Sequence, residues 1–288
     1  MAISSIQLEA FAVLSQTLHF SRAAKILHIT QSSLSQRIKN LESDLGIPLL
    51  IRGRQGVQLT EDGRRVLRYA RLTGLFEEEL LGSIKAKPSQ GLSGTLRVAA
   101  YSTTLRSVVL PSLAGLIRAH PRVQLEFQER ELRELTSVLL RSESDFILLD
   151  REWKRAGIEC VELGREDYVL IESTRYESRN DVFLDHDPED QTTEDFLRLQ
   201  KKTIAKPGSI RRNYLDQIEG IIEGVALGFG RAVVPRHLVE GARGVRVVTG
   251  LIPLRVPVVL HFFKQPFYTA LQDAVRKELI QNARKALA

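Results

Sequence analysis

The chain has 288 residues, 43% of them hydrophobic and 26% charged, with 41 Lys and Arg against 35 Asp and Glu. These fractions exclude collagen-like, fibrous and disordered classes, and the length fits about two or three domains. Cys160 is the single cysteine, which excludes an internal disulfide and a cysteine-rich zinc site; the longest stretch free of Lys, Arg, Asp and Glu, Ala10 to Ser21, falls short of the ~18 residues that span a bilayer.

The N-terminal Met1-Ala2-Ile3-Ser4-Ser5 carries no positive charge ahead of its apolar residues and does not read as a signal peptide. A cytoplasmic protein without a membrane partner is expected. Charge is unevenly spread: residues 1–58 hold six basic side chains against three acidic, half of the net +6. The excess permits a nucleic-acid partner without demanding one.

The first 46 residues predict three short helices. Ile6, Phe11, Val13 and Leu14 share one face of a helix starting after Ser4 or Ser5. Ser21 is expected to cap a second helix, Arg22 to Leu27, whose Ala23-Ala24 pair allows close packing. A tight connection, His28-Ile29-Thr30, leads to a third helix capped by Thr30 and stopped by Gly46. There Leu34, Ile38, Leu41 and Leu45 cluster within about 60° of arc, so Ser32, Gln36, Lys39 and Ser43 point the other way, with Ser35 on the flank. Such a face is either solvated or suited to a DNA major groove, where Gln and Lys donate to base edges and small Ser lets the backbone approach phosphates. Arg52-Gly53-Arg54-Gln55-Gly56, between Leu49-Leu50-Ile51 and Val57-Gln58-Leu59, reads as a hairpin wing with two arginines for flanking phosphates or a minor groove.

The stretch from Phe20 to Leu27, then Ile29-Thr30-Gln31-Ser32-Ser33-Leu34-Ser35-Gln36-Arg37-Ile38, Leu41-Glu42, Leu45-Gly46, Pro48 to Arg52 and Leu59 to Gly63, resembles the LysR-type transcriptional regulators. The Ser35-Gln36-Arg37-Ile38 variant points to the branch that controls basic amino-acid export. The resemblance implies an α/β multidomain protein: an N-terminal winged helix-turn-helix, a long linker helix, and a two-lobed, periplasmic-binding-protein-like effector domain. It implies double-stranded DNA and a small-molecule effector as partners, a homodimer or homotetramer, and no cofactor. DNA contact is carried onto Gln31, Ser32, Ser33, Ser35, Gln36 and Arg37, with Arg52 and Arg54 on the wing; Lys39 joins them from the helix face above.

A linker helix is also legible in the residues. Thr60 is an N-cap, no Pro interrupts Glu61 to about Ile84, and Val66, Tyr69, Thr73, Phe76 and Leu80 form a short heptad stripe. The stripe either pairs with a second chain or packs on its own domain. Lys85 to Gly94, with Pro, Ser and Gly, marks a boundary. The domains are thus 1–59, 60–90 and 91–288, the last with lobe I at about 95–163 and 264–288 and lobe II at about 164–263.

Beyond Gly94, strands at Thr95–Tyr101, Val123–Gln128 and Asp145–Leu149 alternate with helices at Val108–Ala119 and Leu132–Arg141, predicting a mostly parallel sheet. A second unit runs through Tyr168–Ile171, Ile210–Leu215, a helix Gln217–Leu227 and Ala232–Val234, then Val256–Phe263 and a closing helix Phe267–Leu287. Ligands in such sheets bind beyond the carboxyl ends of strands. Ser102, Thr103 and Thr104, after the first strand, can hold a carboxylate or merely cap a helix. Asp216, expected to cap its helix, and Asp185-His186 are the candidates on the second lobe, as ligand groups or as loop charges; Leu184-Asp185-His186-Asp187 resembles a segment of the basic-amino-acid branch. The acidic residue that branch carries near Thr103 is absent, so the effector class stays open. No phosphate loop, HExxH or GxSxG occurs, Gly228-Phe229-Gly230 fails as a dinucleotide fingerprint, and the six His lack metal-ligand spacing. No enzyme is expected.

Overall fold

The computed structural model describes residues 3–53, 56–85, 91–177, 181–200, 204 and 210–287. In chain order its elements are α1 (Ser5–Thr17), α2 (Phe20–Ile26), α3 (Gln31–Leu45), β1 (Leu50–Gly53), β2 (Gly56–Leu59) and α4 (Glu61–Lys85). Next come β3 (Ser93–Ala100), α5 (Ser102–Thr104), a π-helical turn Leu105–Val109, α6 (Leu110–Ala119), β4 (Arg122–Glu129), α7 (Leu132–Leu140) and β5 (Phe146–Leu149). They are followed by β6 (Ile158–Ser173), β7 (Val182–Asp185), α8 (Thr192–Leu199), β8 (Arg211–Tyr214), α9 (Ile218–Ala226), β9 (Ala232–Pro235), α10 (Arg236–Val239), β10 (Val245–Val247), β11 (Leu254–Phe263) and α11 (Ala270–Ala286). The chain divides into two compact units, Met1–Val161 with Leu260–Ala286 and Glu162–Val259 with Leu287–Ala288, so β6 and β11 each run from one unit into the other.

In the first unit, α1 to α3 and the β1–β2 hairpin close around Phe11, Leu14, Leu34, Ile38, Leu41 and Leu49, all fully buried. The third helix follows its sequence: Thr30 Oγ1 accepts from Ser33 N at 3.1 Å, and Gly46 ends it at φ 68°. Two expectations fail. Ile6 is 54% exposed, and Leu8, Phe11, Leu14 and Ser15 form the buried stripe of α1 instead. Both sets fit a helical period, and the positions of α2, α3 and α4 around α1 decide which one is covered. The cap of α2 is His19, whose Nδ1 accepts from Arg22 N, while Ser21 Oγ donates to Gln31 Oε1 at 2.8 Å.

In the same unit β3 lies between β4 and β5, parallel to both. The helix after β3 begins at Ser102, six residues ahead of the expected start, because α5, the π-helical turn and α6 are continuous. π-Turns inside helices often mark functional positions. The closing helix α11 packs on α6.

The second unit is less parallel than expected: β6 pairs antiparallel with β9 and with β10, while β7 and β8 are a parallel pair and Phe183 makes a parallel bridge to Arg231. Its core is Ile171, Leu184, Ile221, Val225, Ala232 and Val234, with Phe183 and Phe196 in a second cluster. No helix among the described residues is long and apolar enough to cross a membrane.

Candidate functional site: nucleic-acid interface and ligand seat

The buried stripe of α3 leaves its opposite face to solvent. Gln31, Ser32, Gln36, Lys39, Asn40 and Ser43 are exposed, and Ser33, Ser35 and Arg37 are half-buried on the flanks. Gln36 Nε2 donates to Asn40 Oδ1 at 2.8 Å, aligning two amides along the helix, and Ser32 Oγ lies 2.9 Å from Thr30 Oγ1. The Ser21–Gln31 bond ties α2 to the first residue of α3. Arg22 and Lys25 are exposed on α2 and extend the basic surface; sequence reasoning missed them and Asn40, although Asn40 stands one helical turn after Gln36.

The wing is fixed from α3. Glu42 Oε1 accepts from Leu49 N at 2.8 Å and Leu50 N at 3.2 Å, so one carboxylate anchors the start of the hairpin. Register pairs Leu50 with Leu59, Arg52 with Val57 and Gly53 with Gly56. The Arg52 backbone is in β1; its side chain and the whole of Arg54 lie outside the described residues.

Thr60 joins wing to linker, because its Oγ1 accepts from Gly63 N at 2.8 Å and donates to Pro48 O at 2.9 Å. Along α4 the stripe Tyr69, Phe76 and Leu80 is exposed, at 52%, 38% and 58%. The stripe's first residue, Val66, packs with the buried Leu67 on the core of the head, and further contacts of α4 with its own unit come from Glu61, Arg68 and Arg71.

The end of β3 holds the hydroxyl cluster. Ser102 is half-buried, and its Oγ accepts from Arg106 Nη2 at 3.0 Å. Thr103 and Thr104 are buried, and neither Oγ1 has a hydrogen-bond partner among the described residues. Gln128 Oε1, at the end of the neighbouring β4, is in the same condition. Orphaned buried hydroxyls are costly and rare, and at a helix start they adjoin backbone N–H groups that have no intrahelical acceptor. The hydroxyls can donate to a small anion, whereas the Gln128 carbonyl oxygen, an acceptor, would take a donor group of a ligand.

The acidic candidates of the second unit separate. Asp185 is 3% exposed and bound on both sides, by Thr193 Oγ1 and in an ion pair with Arg212 Nε. Arg212 also donates to the carbonyls of Asp187, Pro188 and Asp190. Burial pushes the Asp185 carboxyl up, against the pull of Thr193 and Arg212. Of the two roles left open for it, ligand group or loop charge, the bonds of this carboxylate are those of a bolt holding the loop after β7. His186 is half-buried, with its backbone N–H near Asp190 Oδ2. Asp216 is exposed and does not cap α9: the cap position is Gln217, without a side-chain capping bond, since the helix starts one residue later than such a role needs.

A three-helix head with a hairpin wing, a long helix and an α/β ligand-binding domain define a ligand-responsive helix-turn-helix regulator. Residues 6–64 match the bacterial regulatory helix-turn-helix protein, lysR family, and residues 89–279 match the LysR substrate binding domain. The chain belongs to the LysR family of transcriptional regulators. It is similar to a probable hydrogen peroxide-inducible genes activator of Mycobacterium xenopi, 34% identical over 163 residues, which cover 57% of this chain and 86% of that one. In fold it is similar to full-length LysG of Corynebacterium glutamicum with bound effector Arg, at a TM-score of 0.74 and 20% identity, covering 98% of each chain. It is likewise similar to ArgP of Mycobacterium tuberculosis, at a TM-score of 0.76 and 20% identity, covering 98% of this chain and 96% of that one. The resemblance first carried by Phe20 to Gly63 is thus family membership.

Proposed function

We propose that the chain reads operator DNA with α3 in the major groove, using Gln31, Ser32, Ser33, Ser35, Gln36, Arg37 and Lys39, while Arg52 and Arg54 reach the flanking backbone from the wing. The observation that carries this reading is the exposed Ser, Gln and Lys face of a helix whose other face is fully buried. A homodimer or homotetramer forms through the exposed Tyr69, Phe76 and Leu80 stripe, so that two heads meet two half-sites. The working parts are 1–59, 60–90 and 91–288; the protein acts in the cytoplasm and catalyses no reaction.

The effector is an amino acid whose carboxylate is seated at Ser102, Thr103 and Thr104. The orphaned Thr103 and Thr104 hydroxyls support this, as does the bound arginine of the similarly folded LysG. Ligand capture shifts the population of subunit arrangements and thereby the separation of the heads. A thiol–disulfide sensor is disfavoured despite the peroxide-inducible relative, because Cys160 is the sequence's one cysteine and its thiol is pushed up by burial and Glu152.

A thermal-shift screen of amino acids, starting with L-arginine and L-lysine, tests the seat. A ligand at about 100 times its Kd stabilises by roughly 2.7 kcal/mol. Thr103→Val removes a hydroxyl with no internal partner, so it is expected to leave the unliganded melting temperature nearly unchanged and to erase the ligand shift, with Ser102→Ala weakening it. Hits that persist in both variants would place the ligand elsewhere.

A further inference from the structure

On the face of α4 turned from the Tyr69–Leu80 stripe, the Arg68 guanidinium lies 4.3 Å over the Phe263 ring, and Arg155 Nη2 is 3.5 Å from Glu61 Oε2. One turn beyond Arg68, burial and Arg97 push the Arg71 guanidinium down to about 10, against the attraction of Asp145, Glu143 and Glu126. Arg71 is thus drawn in among charged groups of the sheet, and α4 packs along β3 there.

The two contact points are themselves joined. Arg155 stands 5.9 Å from the Trp153 ring, Trp153 N donates to Nε2 of the fully buried His261 at 3.0 Å, and Lys264 N donates to Gly157 O at 2.9 Å. His261 and Phe263 both belong to β11, and β11 begins at Leu254, in the other unit. The strand that crosses between the units therefore ends directly beneath the helix that carries the DNA-binding head.

We propose that Arg68–Phe263 and Glu61–Arg155, braced by Trp153–His261, form a latch through which displacement of β11 repositions the linker helix. The inference deepens the regulator reading and rests on it for its purpose: the latch is the intrachain half of the path from ligand domain to DNA. Arg68, Phe263, Glu61 and Arg155 are positioning residues, since none is placed against DNA or effector. A movement of β11 reaches α4 as a change at two points about two helical turns apart, Glu61 and Arg68, and so can tilt the helix rather than merely loosen it.

The test is hydrogen exchange on the full-length protein, with and without a DNA fragment from the intergenic region beside its own gene. In free protein, Phe263→Leu and Arg155→Glu are expected to speed exchange of α4 amides 64–75 by tenfold or more, leaving α3 and α7 unchanged. Arg68→Lys, which keeps a cation over the ring, and Glu61→Lys combined with Arg155→Glu are expected to restore protection. Coupling is reciprocal, so DNA binding is expected to alter exchange at 258–263 severalfold in the wild type and not in Arg68→Ala. Unaltered α4 exchange in Phe263→Leu would overturn the latch. So would a DNA response at 258–263 that survives in Arg68→Ala. If the fragment does not bind at all, the DNA reading fails, and the free-protein exchange still decides whether the latch exists.

Discussion

Gly63→Ala is expected to destabilise the protein and weaken DNA binding, although glycine-to-alanine changes inside helices ordinarily stabilise by roughly 0.5–1 kcal/mol. Gly63 sits in the first turn of α4, and a Cβ there would lie 2.2 Å from Leu49 O and 3.1 Å from Leu49 C. That carbonyl cannot step aside cheaply. It accepts from Thr60 N at 3.0 Å, its residue is fully buried, and the Leu49 N–H is held by Glu42. Overpacking against fixed backbone costs about 1–3 kcal/mol and occasionally more, and relief requires the linker to separate from the hairpin. Gly74 in the same helix is the control, since a Cβ there meets nothing within 4 Å. Gly74→Ala is expected to raise the melting temperature by the ordinary helix increment. Thermal denaturation of both variants, with a gel shift for Gly63→Ala, checks the contrast; equal effects at the two positions would refute the seam between wing and linker.

Arg212→Met is expected to be the most damaging single change in the second unit. It leaves Asp185 buried with Thr193 alone, and removing one partner of a buried pair costs roughly 3–5 kcal/mol, because a charge is left without compensation. It also frees the carbonyls of Asp187, Pro188 and Asp190, so the loop between β7 and α8 loses its tie. The sign of the pH dependence follows from the carboxyl. Asp185 is already pushed up by burial, and losing the guanidinium pushes it further, so the folded variant favours the protonated acid more than the unfolded chain does. That stability is complete below the unfolded carboxylate range and is lost as pH rises through the folded value. Arg212→Met should therefore lie closer to wild type near pH 4 than at pH 7. Combining it with Asp185→Asn should recover much of the loss at neutral pH. Urea unfolding across that pH range measures both effects.

The N-terminal head was legible because its signals are local. Thr30, the Leu34, Ile38 and Leu41 spacing, and Gly46 define α3 within one short stretch of chain, and the structure keeps all of them. Which face of α1 is buried was not local, so Ile6 was misplaced. In the second unit, α8 lies in an acidic stretch and buries only Thr193, Phe196 and Leu197 of its eight residues, too few for a clear period. Strand β6 is sixteen residues long but carries Glu159, Glu162, Arg165, Glu166 and Asp167, so that sequence shows two short apolar pieces in place of one strand. The role of Asp185 was hidden for the same kind of reason. Its partner Arg212 lies 27 residues away, and only folding brings the guanidinium to the carboxylate. The Ser102 to Thr104 cluster was readable as composition, but that the Thr103 and Thr104 hydroxyls find no partner among the described residues is a fact of packing.

The central claim for the regulator is that the α3 face reads DNA. Binding of the purified full-length protein to the intergenic fragment beside its own gene, followed by fluorescence anisotropy over a salt series, puts that face to the test. The expected result is binding that weakens steeply and linearly in log–log form with salt. In Gln36→Ala with Lys39→Ala, specific affinity should fall by about 1–3 kcal/mol for each side chain that no longer reaches a base edge, while the melting temperature holds. Absence of binding at low ionic strength, or affinity untouched by the α3 substitutions, would show that this helix does not read DNA.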